Sequence, residues 1–148
     1  PLVLLHSGTI YRKERDPTQF FTALRRVQDD AAMPRIRLLL RAPGSEVALA
    51  EMADRLGLRD VVEVLPPLPY RDALNEMAQA DGLLILQSKD CNHQIPAKAY
   101  EYLSARRPIV GIADPAGDTG RLLAAWGVES IAALEDAKAI ESMRRRCL

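Results

Sequence analysis

Two cysteines, Cys91 and Cys147, and two histidines, His6 and His93, are all that the 148-residue chain has of these types. They stand at no ligand or framework spacing, which excludes a disulfide-stapled fold and a Cys/His metal cluster, and no metal is expected. Excess charge of one sign is also lacking, since 20 Lys and Arg balance 20 Asp and Glu. That removes any net-charge case for nucleic acid or an anionic membrane surface. No apolar run reaches the ~18 to 20 residues that cross a bilayer, and the N-terminus lacks the charged-then-apolar order of a signal peptide. Cytosolic residence is the expectation. No Gly-x-Gly-x-x-Gly follows the first strand-like run, and neither Gly-x-x-x-x-Gly-Lys-Ser/Thr nor Gly-x-Ser-x-Gly occurs. An NAD site, a P-loop NTPase and a serine nucleophile elbow are disfavoured accordingly.

What is present is an apolar share of 48% and a charged share of 27%, ordinary for a globular domain with one full core. Six apolar runs of strand length alternate with segments of helical period. The strands read as 2–6, 36–41, 61–65, 82–86, 109–112 and 128–131, most of them apolar at nearly every position, as strands buried on both faces must be. Asp16-Pro17 opens a helix striped by Phe20, Phe21, Leu24 and Val27, with the proline at its first position. Ser45 is placed to cap the segment from Glu46 to Leu56, which Gly57 ends in the left-handed conformation. Further helices are expected over 70–79, over 120–126 with Asp118 or Thr119 as cap and Gly127 as stop, and over 135–145. Repeated strand-then-helix units predict an α/β fold: a doubly wound, mostly parallel, six-stranded Rossmann-like sheet with helices on both faces, forming one domain over 1–148. Pro1 directly before a strand and a stop just after a basic helical end read as a segment of a longer protein.

Ligands of such sheets bind outside the carboxyl ends of the strands. After the first strand, Ser7 to Asp16 offers Gly8 and the cations Arg12, Lys13 and Arg15. This loop could cradle a diphosphate, or be a solvated charged loop. After the third, Leu65-Pro66-Pro67-Leu68-Pro69 is a stiff turn that could present backbone edges to a flat base, or merely connect. After the fourth, Gln94-Ile95-Pro96-Ala97-Lys98-Ala99-Tyr100-Glu101-Tyr102-Leu103 is a helix opened by a proline, aiming backbone N–H groups into the crevice where phosphate is held. Glu101 in its second turn could accept hydrogen bonds from a sugar hydroxyl; the plainer alternative is a surface helix with Lys98 and Glu101 paired three residues apart. After the fifth, Gly117-Asp118-Thr119 leads into another helix N-terminus.

Gly8 with its basic loop, the Gln94 to Leu103 helix and Arg107-Pro108-Ile109-Val110 together resemble the C-terminal domain of retaining glycosyltransferases of the two-domain GT-B architecture, nearest to family 4, also called group 1. The resemblance runs from about residue 2 to 127. It implies a domain that binds a nucleoside-diphosphate sugar as donor substrate, without metal or further cofactor, across a cleft from an N-terminal acceptor-binding half that this sequence does not contain. Alone the chain is expected to be inactive in transfer, and any membrane contact would fall to that other half. Carried over by position, Glu101 matches the second glutamate of the family's Glu-x7-Glu motif, the ribose holder. His93 stands at the first, beside the donor sugar. Arg15, seven residues after Gly8, lies near the place of the diphosphate-binding cation, and Thr9 occupies a position usually held by arginine, with Arg12 or Lys13 nearby. Leu65 and Pro66 fall in the base-contacting loop; Gln94, Ile95 and Lys98 open the helix; Gly117, Asp118 and Thr119 lie near the diphosphate. Leaving-group stabilisation is assigned to Arg15, Lys13 and the helix start at Ile95. Other readings are a non-catalytic nucleotide-binding or scaffolding domain of the same descent, for which His93 is the hint, a sugar-nucleotide epimerase half, and a plain flavodoxin-like domain.

Overall fold

The computed structural model describes residues 1–10, 17–87 and 95–132. The chain alternates β1 (Leu2–Ser7), α1 (Thr18–Asp29), β2 (Ile36–Arg41), α2 (Glu46–Arg55), β3 (Val62–Leu65), α3 (Tyr70–Gln79), β4 (Gly82–Leu86), α4 (Ala97–Ala105), β5 (Ile109–Ile112), α5 (Asp118–Ala125) and β6 (Ile131–Ala132). The six strands form one sheet in the order β3-β2-β1-β4-β5-β6, with every pair parallel. The doubly wound sheet expected from the sequence is the one observed. The expected helix over 135–145, Cys91 and Cys147 lie outside the described residues. No described helix is long and apolar enough to cross a membrane.

Alternation along the strands divides the core in two. Leu38, Leu40, Leu84, Leu86 and Ile112 meet Phe20, Phe21, Leu24 and Leu49 of α1 and α2 on one face. Leu5, Leu83, Ile85 and Ile109 meet Met77, Ala99, Tyr102 and Leu123 of α3, α4 and α5 on the other. All five residues of central β4 are buried, as a strand covered on both faces requires.

Several boundaries differ from the expected ones, for local reasons. Pro17 and Pro96 each sit one residue before a helix and not inside its first turn, and the Pro17 carbonyl accepts the Phe21 N–H; Pro69 precedes α3, whose span is the expected 70–79, and its carbonyl accepts the Ala73 N–H. The fourth helix therefore starts at Ala97, and Ile95 precedes it. Ser45 does not cap α2 with its side chain; it takes a left-handed conformation at φ 46° and contributes its carbonyl to the Leu49 N–H. Helix α5 begins at Asp118, two residues early, because an Asp114 turn receiving the Ala116 and Gly117 N–H groups leaves Gly117 at the cap. Gly120 allows that turn to close, since a Cβ there would lie 2.3 Å from the Asp114 carbonyl oxygen. The last strand is Ile131–Ala132 and not 128–131: Gly127, at φ 84°, ends α5 and sends the Val128 N–H back to the Leu123 carbonyl. Gly57, at φ 68°, ends α2 as expected.

Candidate functional site

Because all strands are parallel, the ends at Ser7, Arg41, Leu65, Leu86 and Ile112 lie along one edge of the sheet. Strand order reverses between β1 and β4, which makes that edge a topological switch point. Pairing between these two strands is confined to Leu4 with Gly82 and Leu5 with Leu83. Beyond Leu5 the sheet opens, and the main-chain donor that β4 no longer meets is taken by a side chain: the Ser7 N–H donates to the Tyr102 hydroxyl at 2.8 Å. Tyr102 is fully buried, and burial, ahead of the opposing Ser7 hydrogen bond, raises its phenol well above the ordinary value. It stays a neutral hydroxyl at physiological pH.

One turn earlier on the same helix, Lys98 reaches across the same gap. Its Nζ lies 3.2 Å from Nε2 of His6, which is wholly buried at the end of β1. The next turn of chain passes beneath it at Gly8, at φ 108°, where a Cβ would stand 3.2 Å from that Nζ. The backbone angle favours glycine there, and a Cβ would also press on the flexible end of Lys98. Gly8 is anchored by its N–H on the Arg41 carbonyl, and Ile10 by its N–H on that of Pro43. Helix α4 thus brings Lys98 and Tyr102 onto the end of β1, with half-buried Glu101 three residues after Lys98 on the neighbouring face. Lys98 and Glu101 form no ion pair with each other in the described structure, so the plainer surface-pair reading of this helix is not the arrangement observed.

On the other side of β1, Arg41 at the end of β2 donates to both carboxylate oxygens of Glu76 on α3, at 3.0 and 2.7 Å, and to the Pro66 carbonyl at 2.8 Å. The Glu76 hydrogen bond raises the guanidinium pKa above its usual value. Leu65 is half-buried and Pro66 exposed; Thr9 is exposed with its methyl group beside Gly44. Gly117, Asp118 and buried Thr119 form the start of α5 at the end of β5. The structure therefore brings Lys98 over Gly8, keeps Glu101 half-buried one turn after Lys98 on α4, and sets Leu65, Pro66, Gly117, Asp118 and Thr119 along the same edge. Arg12, Lys13, Arg15, His93 and Gln94 lie outside the described residues. Among the described residues no three His, Cys, Asp or Glu side chains converge as metal ligands would.

His6, Tyr102, Arg41 and Glu76 were not expected at the site. A signal existed for His6 and Arg41, polar residues at the ends of largely apolar strand runs, where burial demands a partner. Nothing in the sequence identified the partners, which lie 92 and 35 residues away.

No protein-family model matches the chain, and no curated protein sequence matches it. Solved structures do. A mutant of the Thermobaculum terrenum O-GlcNAc transferase is similar over 99% of this chain and 28% of its own, with a TM-score of 0.69 and 20% identity. Anabaena HepE in complex with UDP is similar over 99% of this chain and 38% of its own, with a TM-score of 0.72 and 18% identity. WaaG, a glycosyltransferase involved in lipopolysaccharide biosynthesis, matches over 99% and 41%, with a TM-score of 0.65 and 16% identity. At these identities the likeness is one of fold. The chain spans between 28% and 41% of the length of these structures.

Proposed function

We propose that this chain is the donor-binding domain of a retaining, metal-independent glycosyltransferase of the GT-B architecture, nearest to family 4, with a nucleoside-diphosphate sugar as its substrate. The observation that carries the reading is the meeting of Gly8 and Lys98 at the gap between β1 and β4, with Glu101 one turn further along α4, in a fold shared with glycosyltransferases and with a UDP-bound protein. A backbone turn without side chain, a cation above it and a carboxylate one turn further suit a diphosphate followed by a ribose.

In this reading the diphosphate lies against Gly8 with Lys98 as a counter-charge, and Glu101 accepts hydrogen bonds from the ribose hydroxyls. The base rests against Leu65 and Pro66. As the glycosidic bond to the donor phosphate breaks, negative charge grows on the β-phosphate, and fixed cations and N–H dipoles stabilise it. Lys98 joins Arg15 and Lys13 in that role, with Arg12 and Thr9 on the same loop, Gln94 and Ile95 before α4, and Gly117 to Thr119 at the far side. The amides that face the ligand belong to the turn beginning at Ala97. His93 would neighbour the sugar. The acceptor and the second wall of the cleft belong to a further domain.

Calorimetric titration with UDP, GDP and ADP, repeated on Glu101→Ala, tests the reading. One nucleotide should bind, and the variant should lose about tenfold or more in affinity, the worth of a charge-assisted hydrogen bond. Absence of binding by all three removes the proposal. His93, where the resemblance places a glutamate, favours a second reading: a nucleotide-binding domain without transfer. Sugar transfer by the chain joined to an acceptor-binding half, with Arg15→Ala as the slowed control, separates the two.

A further inference from the structure

The base-side loop, residues 65–69, contains three prolines, Pro66, Pro67 and Pro69, so Leu68 carries the one main-chain N–H of residues 66–69. Such a segment has little means of fixing itself by its own turn hydrogen bonds. It is held from outside. The Leu65 carbonyl accepts the Ala42 N–H at 2.8 Å, and the Pro66 carbonyl accepts Arg41 Nη1 at 2.8 Å. Arg41 in turn is fixed by two hydrogen bonds to Glu76, one to each carboxylate oxygen.

Among the described residues this pair differs in kind from Arg25 with Asp29, Arg37 with Glu63 and Arg59 with Asp54, surface contacts whose side chains are 42% to 76% exposed. Those of Arg41 and Glu76 are 12% and 19% exposed. Withdrawing two charges from water costs about as much as their attraction returns, so a shielded pair is a poor source of stability. What a planar two-pronged contact supplies is direction. Here the third arm of the fork is spent on one loop carbonyl at the rim of the crevice.

We infer that Arg41, held by Glu76, is a positioning residue for the nucleobase of the bound nucleotide, setting the height and angle of the Leu65–Pro69 loop from which the base is contacted. The inference rests on the donor-site reading above. Arg41 touches neither the phosphates nor the sugar in this scheme. Its removal alters binding of the base and spares binding of the diphosphate.

The test titrates the chain with UDP, GDP and ADP and, as a base-free probe, with inorganic diphosphate. It compares the unaltered chain with Arg41→Met/Glu76→Met, which removes both charges together and so leaves no buried ion unpaired. The double variant should melt at or above the temperature of the unaltered chain and keep its diphosphate affinity, while the preferred nucleotide binds about tenfold more weakly, equivalent to about 1.4 kcal/mol. Arg41→Lys, with the charge but not the fork, should show the same selective loss. Unchanged nucleotide affinity in the double variant overturns the inference, as does an equal loss of nucleotide and diphosphate. If the unaltered chain binds diphosphate but no nucleotide, the donor-site reading itself falls, and this inference with it.

Discussion

The Ser7 N–H donates to the Tyr102 hydroxyl across the point where β1 and β4 part, joining residues 95 positions apart. That bond replaces a missing rung of the sheet. Tyr102→Phe leaves the Ser7 N–H without its acceptor and should lower unfolding stability by ~1 to 3 kcal/mol, read from urea denaturation.

The same residue gives a pH dependence. Burial raises the Tyr102 phenol above its ordinary 10.0 in the folded state. A raised acid binds its proton more tightly when folded, so its contribution is complete below about pH 10 and declines as pH rises beyond it. Denaturation midpoints measured at neutral pH and above about pH 10 should fall with pH, and Tyr102→Phe should flatten that fall.

Gly8→Ala forces a side chain into φ 108° and sets its Cβ 3.2 Å from Lys98 Nζ. The backbone strain costs on the order of 1 to 3 kcal/mol. Lys98, being flexible at its end, should yield. Thermal melting should record the loss, and titration should show weaker diphosphate binding.

Gly120→Ala has no flexible neighbour to displace, because its Cβ would stand 2.3 Å from the Asp114 carbonyl oxygen and 2.9 Å from Pro115 Cα. The turn before α5 must open. A loss of ~1 to 3 kcal/mol or more in denaturation is expected, opposite in sign to the gain of about 1 kcal/mol that Gly→Ala brings in an exposed helix interior.

Lys98→Met keeps the stem that packs over Gly8 and removes the charge. Under the donor-site reading, affinity for UDP should fall about tenfold and become less sensitive to salt, since an ion contact has been deleted. Calorimetry at two salt concentrations checks both.

Local rules carried the sheet and the helices well. Phe20, Phe21, Leu24 and Val27, one stripe by spacing, are all buried on one face of α1, and Gly57 and Gly127 take the positive φ expected of helix stops. Period and punctuation are properties of neighbours in sequence, and these features depend on nothing else. Ser45 failed as a cap because the preceding turn, with Ala42 and Gly44 also at positive φ, carries the chain into a left-handed conformation there. Val128 failed as a strand residue because its N–H closes the end of α5. At the site, Gly8, Lys98 and Glu101 were legible as a glycine turn and a helix face. Their supports were not: His6 under Lys98, Tyr102 on Ser7 and Glu76 on Arg41 are tertiary pairs between distant segments, with no periodicity to announce them.

The two-residue pairing of β1 with β4 divides the sheet into halves, β3-β2-β1 and β4-β5-β6, joined by Leu4, Leu5, a main-chain bond from the Asp81 N–H to the Val3 carbonyl, and two side chains, Tyr102 at one end and Asp81, accepting the Val3 N–H at 2.8 Å, at the other. A seam so narrow is the place where such a domain opens by local fluctuation before it unfolds as a whole. Amide hydrogen exchange should therefore run faster at Val3 and Ser7 than at Leu38 or Leu40, inside the longer β1–β2 ladder. A nucleotide that touches Gly8 on one half and α4 on the other bridges the seam, and it should slow exchange at Ser7 in proportion to its occupancy. Under the donor-site reading, the crevice that would admit the nucleotide is also the line along which it would hold the two halves of the sheet together.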